Sequence, residues 1–236
     1  MTSSDLYSTR IQKNFDDDQA EIIALLEANL SKPLKLINYY KGIPLSYPAT
    51  IASISRGVVD LDVQEMQAFT IEQARSAFIR SPLFKHDLFA QAQYVNVRKK
   101  AATFVKFSYV EIMAERRNFV RVEVDAPVTV AIASPQGVIE GRLTDISLSG
   151  FGVLIDYTCP LEAGIETTVQ FTLLSPETAQ PIPISIPAIL VTVSGDVSPY
   201  NYRFVINPEK QLERQISQYV FQRQVEIIRE VKEIVS

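Results

Sequence analysis

Residues 115 to 121 read Glu-Arg-Arg-Asn-Phe-Val-Arg, which sets three arginines within six positions of a chain whose formal net charge is −4. Guanidinium binds phosphate in a bidentate fork, reads the O6/N7 edge of guanine and stacks on flat rings. Arg117 and Arg121 stand four apart with Arg116 just ahead. A helix would bring the pair to one face, and so would a strand. A solvated charged patch is the plainer reading. Residues 145 to 150 read Asp-Ile-Ser-Leu-Ser-Gly, a D-x-S-x-x-G pattern at the junction of two strand-like runs. Alone this is an Asp/Ser turn closed by glycine. Its chemistry also complements the arginines. A carboxylate accepts the paired N–H donors of a guanine Watson–Crick edge, a serine hydroxyl both donates and accepts, and glycine allows close backbone approach. R-x-x-x-R arises by chance in about half of chains this long, but D-x-S-x-x-G in only a few per cent, roughly.

Other chemistry has little to build on. The single histidine, His86, lies in Phe-Lys-His-Asp-Leu-Phe, without a cysteine or a suitably spaced glutamate to make a zinc site. There is no G-x-S-x-G elbow, no G-x-x-x-x-G-K-[ST] loop and no G-x-G-x-x-G after a strand. No catalytic residue and no metal ligand is assigned, and an enzyme is not expected. One cysteine, Cys159, excludes an internal disulfide and fits a reducing compartment. A pI near 5.2 argues against a nucleic-acid binder, which needs a broad basic face. The start, MTSSDLYSTR, lacks the pattern of a secretory signal, and no apolar run approaches the ~20 residues of a transmembrane helix. A soluble, cytoplasmic protein without a transmembrane segment is expected.

The elements that must carry these residues follow from periodicity. Residues 1–30 read as a helical lead, with Asp18 as cap and Ile22, Ile23, Leu25, Leu26 and Leu30 as the apolar stripe. Residues 31–112 are β-rich: LKLINYY, TIASISR and VVDLDV are separated by Lys41-Gly42 and Arg56-Gly57, and a hairpin is expected around Lys99 and Lys100. EQARSAFIRS reads as a short helix. Residues 113–207 hold about six short strands with regular turn signals, which predicts a closed or nearly closed antiparallel barrel. Pro187 predicts an edge or bulged position. Residues 208–236 form a long helix with Leu212, Ile216, Val220, Ile227, Val231 and Ile234 on its apolar face.

RRNFVR followed by DISLSG resembles the two-part signature of the PilZ family, receptors for the bacterial second messenger cyclic di-GMP. The resemblance covers about residues 114 to 207 and implies a six-stranded barrel, often with a trailing helix. It implies that Arg117 and Arg121 grip phosphates and guanine, and that Asp145, Ser147 and Gly150 hold the other side of a guanine. Arg116, just before R-x-x-x-R, implies two intercalated ligands rather than one. Phe151 departs from the small residue common after the motif glycine, and would tighten the pocket or redirect the base. A preceding β domain of similar size looks like the flagellar-brake (YcgR-like) group, whose N-terminal domain is itself a barrel. The expected fold is therefore mainly β, two small antiparallel barrels in tandem with a C-terminal helix. The expected function is a cyclic di-GMP receptor with no cofactor. It would couple the ligand to interdomain rearrangement and to a protein partner, such as a flagellar motor component or another effector target. The alternative is an adaptor that binds a protein without nucleotide. Oligomeric state stays open, with the C-terminal helix as the candidate interface.

Overall fold

A computed structural model describes residues 7–9, 11 and 14–235. The chain divides into two compact units, one of residues 1–40, 44–117 and 230–236, the other of 41–43 and 118–229.

The first unit begins with β1 (Tyr7–Ser8) and α1 (Phe15–Glu27). Strands β2 (Leu34–Tyr40), β3 (Ile43–Ser55) and β4 (Val58–Asp62) follow, then α2 (Glu65–Ala74), β5 (Ser76–Arg80), β6 (Asp87–Asn96), β7 (Ala101–Ile112) and a 3-10 turn, Met113–Arg116. The sheet order is β1-β7-β4-β3-β2-β5-β6, and β6 also pairs with β7. Six strands thus return on themselves, with β1 added on the outside of β7. Lys41-Gly42 and Arg56-Gly57 all take positive φ (48°, 87°, 52° and 77°), as tight two-residue hairpin turns demand. Lys100 does the same at the β6–β7 hairpin (φ 53°).

Alpha-helix α1 closes the core from one side, burying Ile22 and Leu26 with Leu36, Leu61, Phe104 and Phe107. Its cap is Asn14 rather than the expected Asp18: extended backbone at Asn14 lets its side chain accept the N–H of Asp16 at 3.2 Å. Asp16, Asp17 and Asp18 instead occupy the first turn, where the helix dipole favours carboxylates. The run expected as a helix over EQARSAFIRS is split. Alpha-helix α2 stops at Ala74, Arg75 turns left-handed (φ 54°), and Ser76–Arg80 becomes a strand between β2 and β6. Pairing on both sides outweighs a weak local helical preference there.

The second unit holds β8 (Val122–Ser134), β9 (Gly137–Ser147), β10 (Gly150–Ile155), β11 (Glu166–Leu174), β12 (Pro181–Ser194) and β13 (Tyr200–Ile206). They form a closed barrel in the order β10-β13-β12-β11-β8-β9, as the strand count predicts. Its interior is packed by residues such as Val130, Ile146, Phe151, Leu173, Ile186 and Phe204. Pro187 is neither on an edge, since the ring has none, nor at the β12 irregularity between Leu190 and Thr192. Pairing of β12 with β13 runs only from Ala188, so the missing N–H of Pro187 falls just outside that ladder. The fold class is the expected one: mainly β, with α3 (Lys210–Val235) as the C-terminal helix. Ile216, Val220, Ile227 and Val231 of α3 are buried, whereas Ile234, expected on the same face, is 58% exposed.

Candidate functional site

The D-x-S-x-x-G motif occupies the tight connection between β9 and β10. Ser147 and Gly150 are cross-strand partners, and Ser147 Oγ donates to the Gly150 carbonyl at 3.0 Å. A Cβ on Gly150 would lie 2.2 Å from the Phe204 carbonyl oxygen, so glycine is required for β10 to lie against β13. Ser147 is fully buried and holds the turn from within. Asp145, two residues earlier, points to the same side as Ser147, while Ile146 between them enters the core.

Register then builds a lateral row. Asp145 on β9 faces Gly152 on β10, and Gly152 faces Arg203 on β13. Glycine leaves the middle of that row without a side chain. Arg203 reaches across, and its Nη1 lies 2.5 Å from Asp145 Oδ2. Thr144 Oγ1 donates to the same oxygen at 2.9 Å. Arg121, just before β8, reaches the other oxygen: its Nη1 is 3.5 Å from Oδ1. That distance is too long for a strong hydrogen bond and leaves a mainly electrostatic contact. The side chains of Arg121, Asp145 and Arg203 are only 18%, 5% and 13% exposed. Asp145 thus lies between two guanidinium groups in a poorly solvated spot, with Glu123 of β8 as its cross-strand neighbour on the other side.

The other arginines are placed differently. Residues 117–121 form neither helix nor strand, so the periodicity that would put Arg117 and Arg121 on one face does not operate. Arg116 ends the 3-10 turn of the first unit and makes an exposed ion pair with Glu111. Arg117 follows in extended backbone (φ −76°, ψ 130°), its N–H directed at the Ala114 carbonyl at 3.4 Å. Within that unit, burial pushes the Tyr39 phenol up to about 12, assisted by Glu115 and opposed by Arg117. The structure therefore joins Arg121 with Asp145 and Ser147 with Gly150, and it holds Arg116 and Arg117 in the first unit. Phe151 does not line a pocket. It is fully buried in the barrel, stacked on Phe204 (centroids 5.3 Å apart) and edge-on to Phe171 (5.4 Å), so it neither tightens a site nor redirects a base.

His86, set aside in the sequence, lies edge-on to Tyr109 with ring centroids 6.2 Å apart. No group of three or more potential metal-binding side chains occurs among the described residues. No helix among them is long and apolar enough to cross a membrane. Arg203, Gly152 and Thr144 escaped the sequence reading. The second glycine of Gly-Phe-Gly was visible as a signal, but Arg203 joins the row only through the β10–β13 register.

Residues 115–222 match the PilZ domain family model. The PilZ match thus takes in the last arginine-bearing turn, the whole barrel and the first half of α3. No curated protein sequence matches the chain. Among solved structures, the chain is similar to YcgR from Escherichia coli in complex with c-di-GMP, at 17% identity, 99% of each chain covered and a TM-score of 0.46. It is also similar to the Bacillus subtilis inhibitor of motility MotI/DgrA, at 14% identity, with 84% of this chain and 98% of that one covered (TM-score 0.42). A third is the K. pneumonia MrkH–c-di-GMP complex, at 13% identity, with 90% and 96% covered (TM-score 0.47).

Proposed function

We propose that the chain is a non-enzymatic receptor for cyclic di-GMP. One observation carries the reading: within a segment that matches the PilZ domain, Arg121 meets Asp145 on the outside of the barrel, beside the Ser147–Gly150 turn. The ligand carries two phosphates and two guanines. Arg117 and Arg121 would serve the phosphates and a guanine face, and Asp145 with the Ser147–Gly150 turn a guanine edge. Arg116, released from Glu111, would complete a site for two stacked ligands. Because the arginines straddle the boundary at residue 117, ordering them on the ligand would bias the arrangement of the two units. That bias is the signal passed to a protein partner in the cytoplasm, chosen by the β unit of residues 31–112. Flagellar motor control is one such output.

Titration calorimetry with cyclic di-GMP tests this directly. The expected result is binding at micromolar ligand or tighter by a folded sample, and flat titrations there would refute the receptor. One feature favours a second reading, an adaptor that binds a protein without nucleotide. Both oxygens of Asp145 already face donors, namely Arg203, Thr144 and Arg121. In that case the cluster is structural, and partner capture is indifferent to the nucleotide.

A further inference from the structure

The two oxygens of Asp145 are not equivalent. Oδ2 receives the Arg203 guanidinium at 2.5 Å and the Thr144 hydroxyl at 2.9 Å, which fills its two acceptor positions. Oδ1 meets Arg121 only at 3.5 Å and retains acceptor capacity. The difference is built by Gly152. A Cβ there would stand 2.5 Å from Arg203 Nη1, 2.5 Å from Thr144 Oγ1 and 2.8 Å from Asp145 Oδ2, in the middle of the arrangement that fixes Oδ2.

We infer that Arg203, passing over Gly152, is a positioning residue that locks the Asp145 carboxylate by Oδ2 and thereby offers Oδ1 to the 2-amino N–H of guanine, with Arg121 as the removable cover of that oxygen. The inference rests on the receptor reading and assigns parts within it. A base N–H at ordinary hydrogen-bond distance replaces a 3.5 Å contact, so the exchange gains a good bond and gives up a poor one. Arg121, displaced from Oδ1, keeps its charge and turns to the phosphate that arrives with the base. Arg203 stays in place throughout, because its own bond is short and its side chain is only 13% exposed. Recognition of the base and release of the phosphate-binding arginine are then one event at one carboxylate.

The test uses the full chain and two ligands, cyclic di-GMP and cyclic di-inosine monophosphate, whose base lacks the 2-amino donors. Arg203→Met removes the lock. Gly152→Ala keeps every charge but wedges the three side chains apart. All three clashing atoms are side-chain tips, which can shift without moving a strand, and thermal melting checks that each variant folds. Expected are a parent that prefers cyclic di-GMP, a loss of about 10–100-fold in cyclic di-GMP affinity for both variants, and a much smaller loss for the inosine ligand. Arg203→Lys should recover part of the preference. If the parent binds cyclic di-GMP and either folded variant retains its affinity and preference, or loses affinity equally for both ligands, the positioning role is wrong while the receptor stands. A parent that binds neither ligand overturns both.

Discussion

Two charged clusters in the second unit are near mirror images. At one, a single carboxylate, Asp145, lies between two guanidinium groups, Arg121 and Arg203. At the other, a single guanidinium, Arg223 of α3, lies between two carboxylates: its Nη1 is 2.6 Å from Glu226 and its Nη2 3.2 Å from Asp125, while Nε donates to the Glu123 carbonyl at 3.1 Å. Arg223 is the most deeply buried charge described, 1% exposed, on the floor of a groove between α3 and strands β8, β11 and β12. Beside it, burial pushes the Tyr219 phenol up to about 12. All three kinds of donor nitrogen on Arg223 have acceptors at bonding distance, and the excess charge, negative, sits on carboxylates that reach water. Around Asp145 one contact is long, the 3.5 Å approach of Arg121. A cluster whose buried member is fully matched holds a helix to a barrel. One left with a slack contact is prepared for something else.

Arg223→Met should have the largest effect. It removes three hydrogen bonds from a buried position but leaves Asp125 and Glu226 able to hydrate, so a loss of about 2–3 kcal/mol in stability is expected by chemical denaturation, with nucleotide affinity unchanged. Comparable affinity loss in this variant would break the division between the clusters. Arg121→Ala should do the opposite. Its 3.5 Å contact supports little of the fold, so stability should move by roughly 0.5 kcal/mol or less, while calorimetry should show cyclic di-GMP affinity falling by about 1–3 kcal/mol. Arg116→Ala sharpens the contrast from the exposed end. The Arg116–Glu111 pair is 60% and 43% exposed, so its removal should cost roughly 0–1 kcal/mol of stability. What should change is the calorimetric stoichiometry, from two ligands per chain to one.

The strands were readable because each announces itself locally. Alternation along Val128–Ala133 and Thr168–Leu173 needs no knowledge of neighbours, and Lys41-Gly42 or Arg56-Gly57 between two such runs can hardly be anything but a hairpin turn. Legibility failed where the answer lay across the sheet. Ser76–Arg80 looks helical until β2 and β6 are supplied on either side. Pro187 cannot be placed without knowing where β13 begins to pair. Phe151 was read by its position after the motif glycine, but the pleat decides, and it turns the ring inward. The same limit hid Arg203, 58 residues beyond Asp145 along the chain and one strand beyond Gly152 in space. Motif spacing records what lies along a strand and omits what lies beside it.

The closed ring of the second unit has a consequence for company. Ile189, Val191 and Val193 of β12 and Val205 of β13 are between 39% and 50% exposed on the outside of the barrel. On an open sheet, such an uncharged row next to an unpaired edge would invite another chain to add a strand and propagate into aggregates. Here the ring closes: Ile189 is paired with Glu166 on β11 and with Val205 on β13, and Val205 also with Gly150 on β10, so the backbone beneath these two side chains leaves no ladder to extend. The barrel can carry bare valine and isoleucine in water because it offers stickiness without a template.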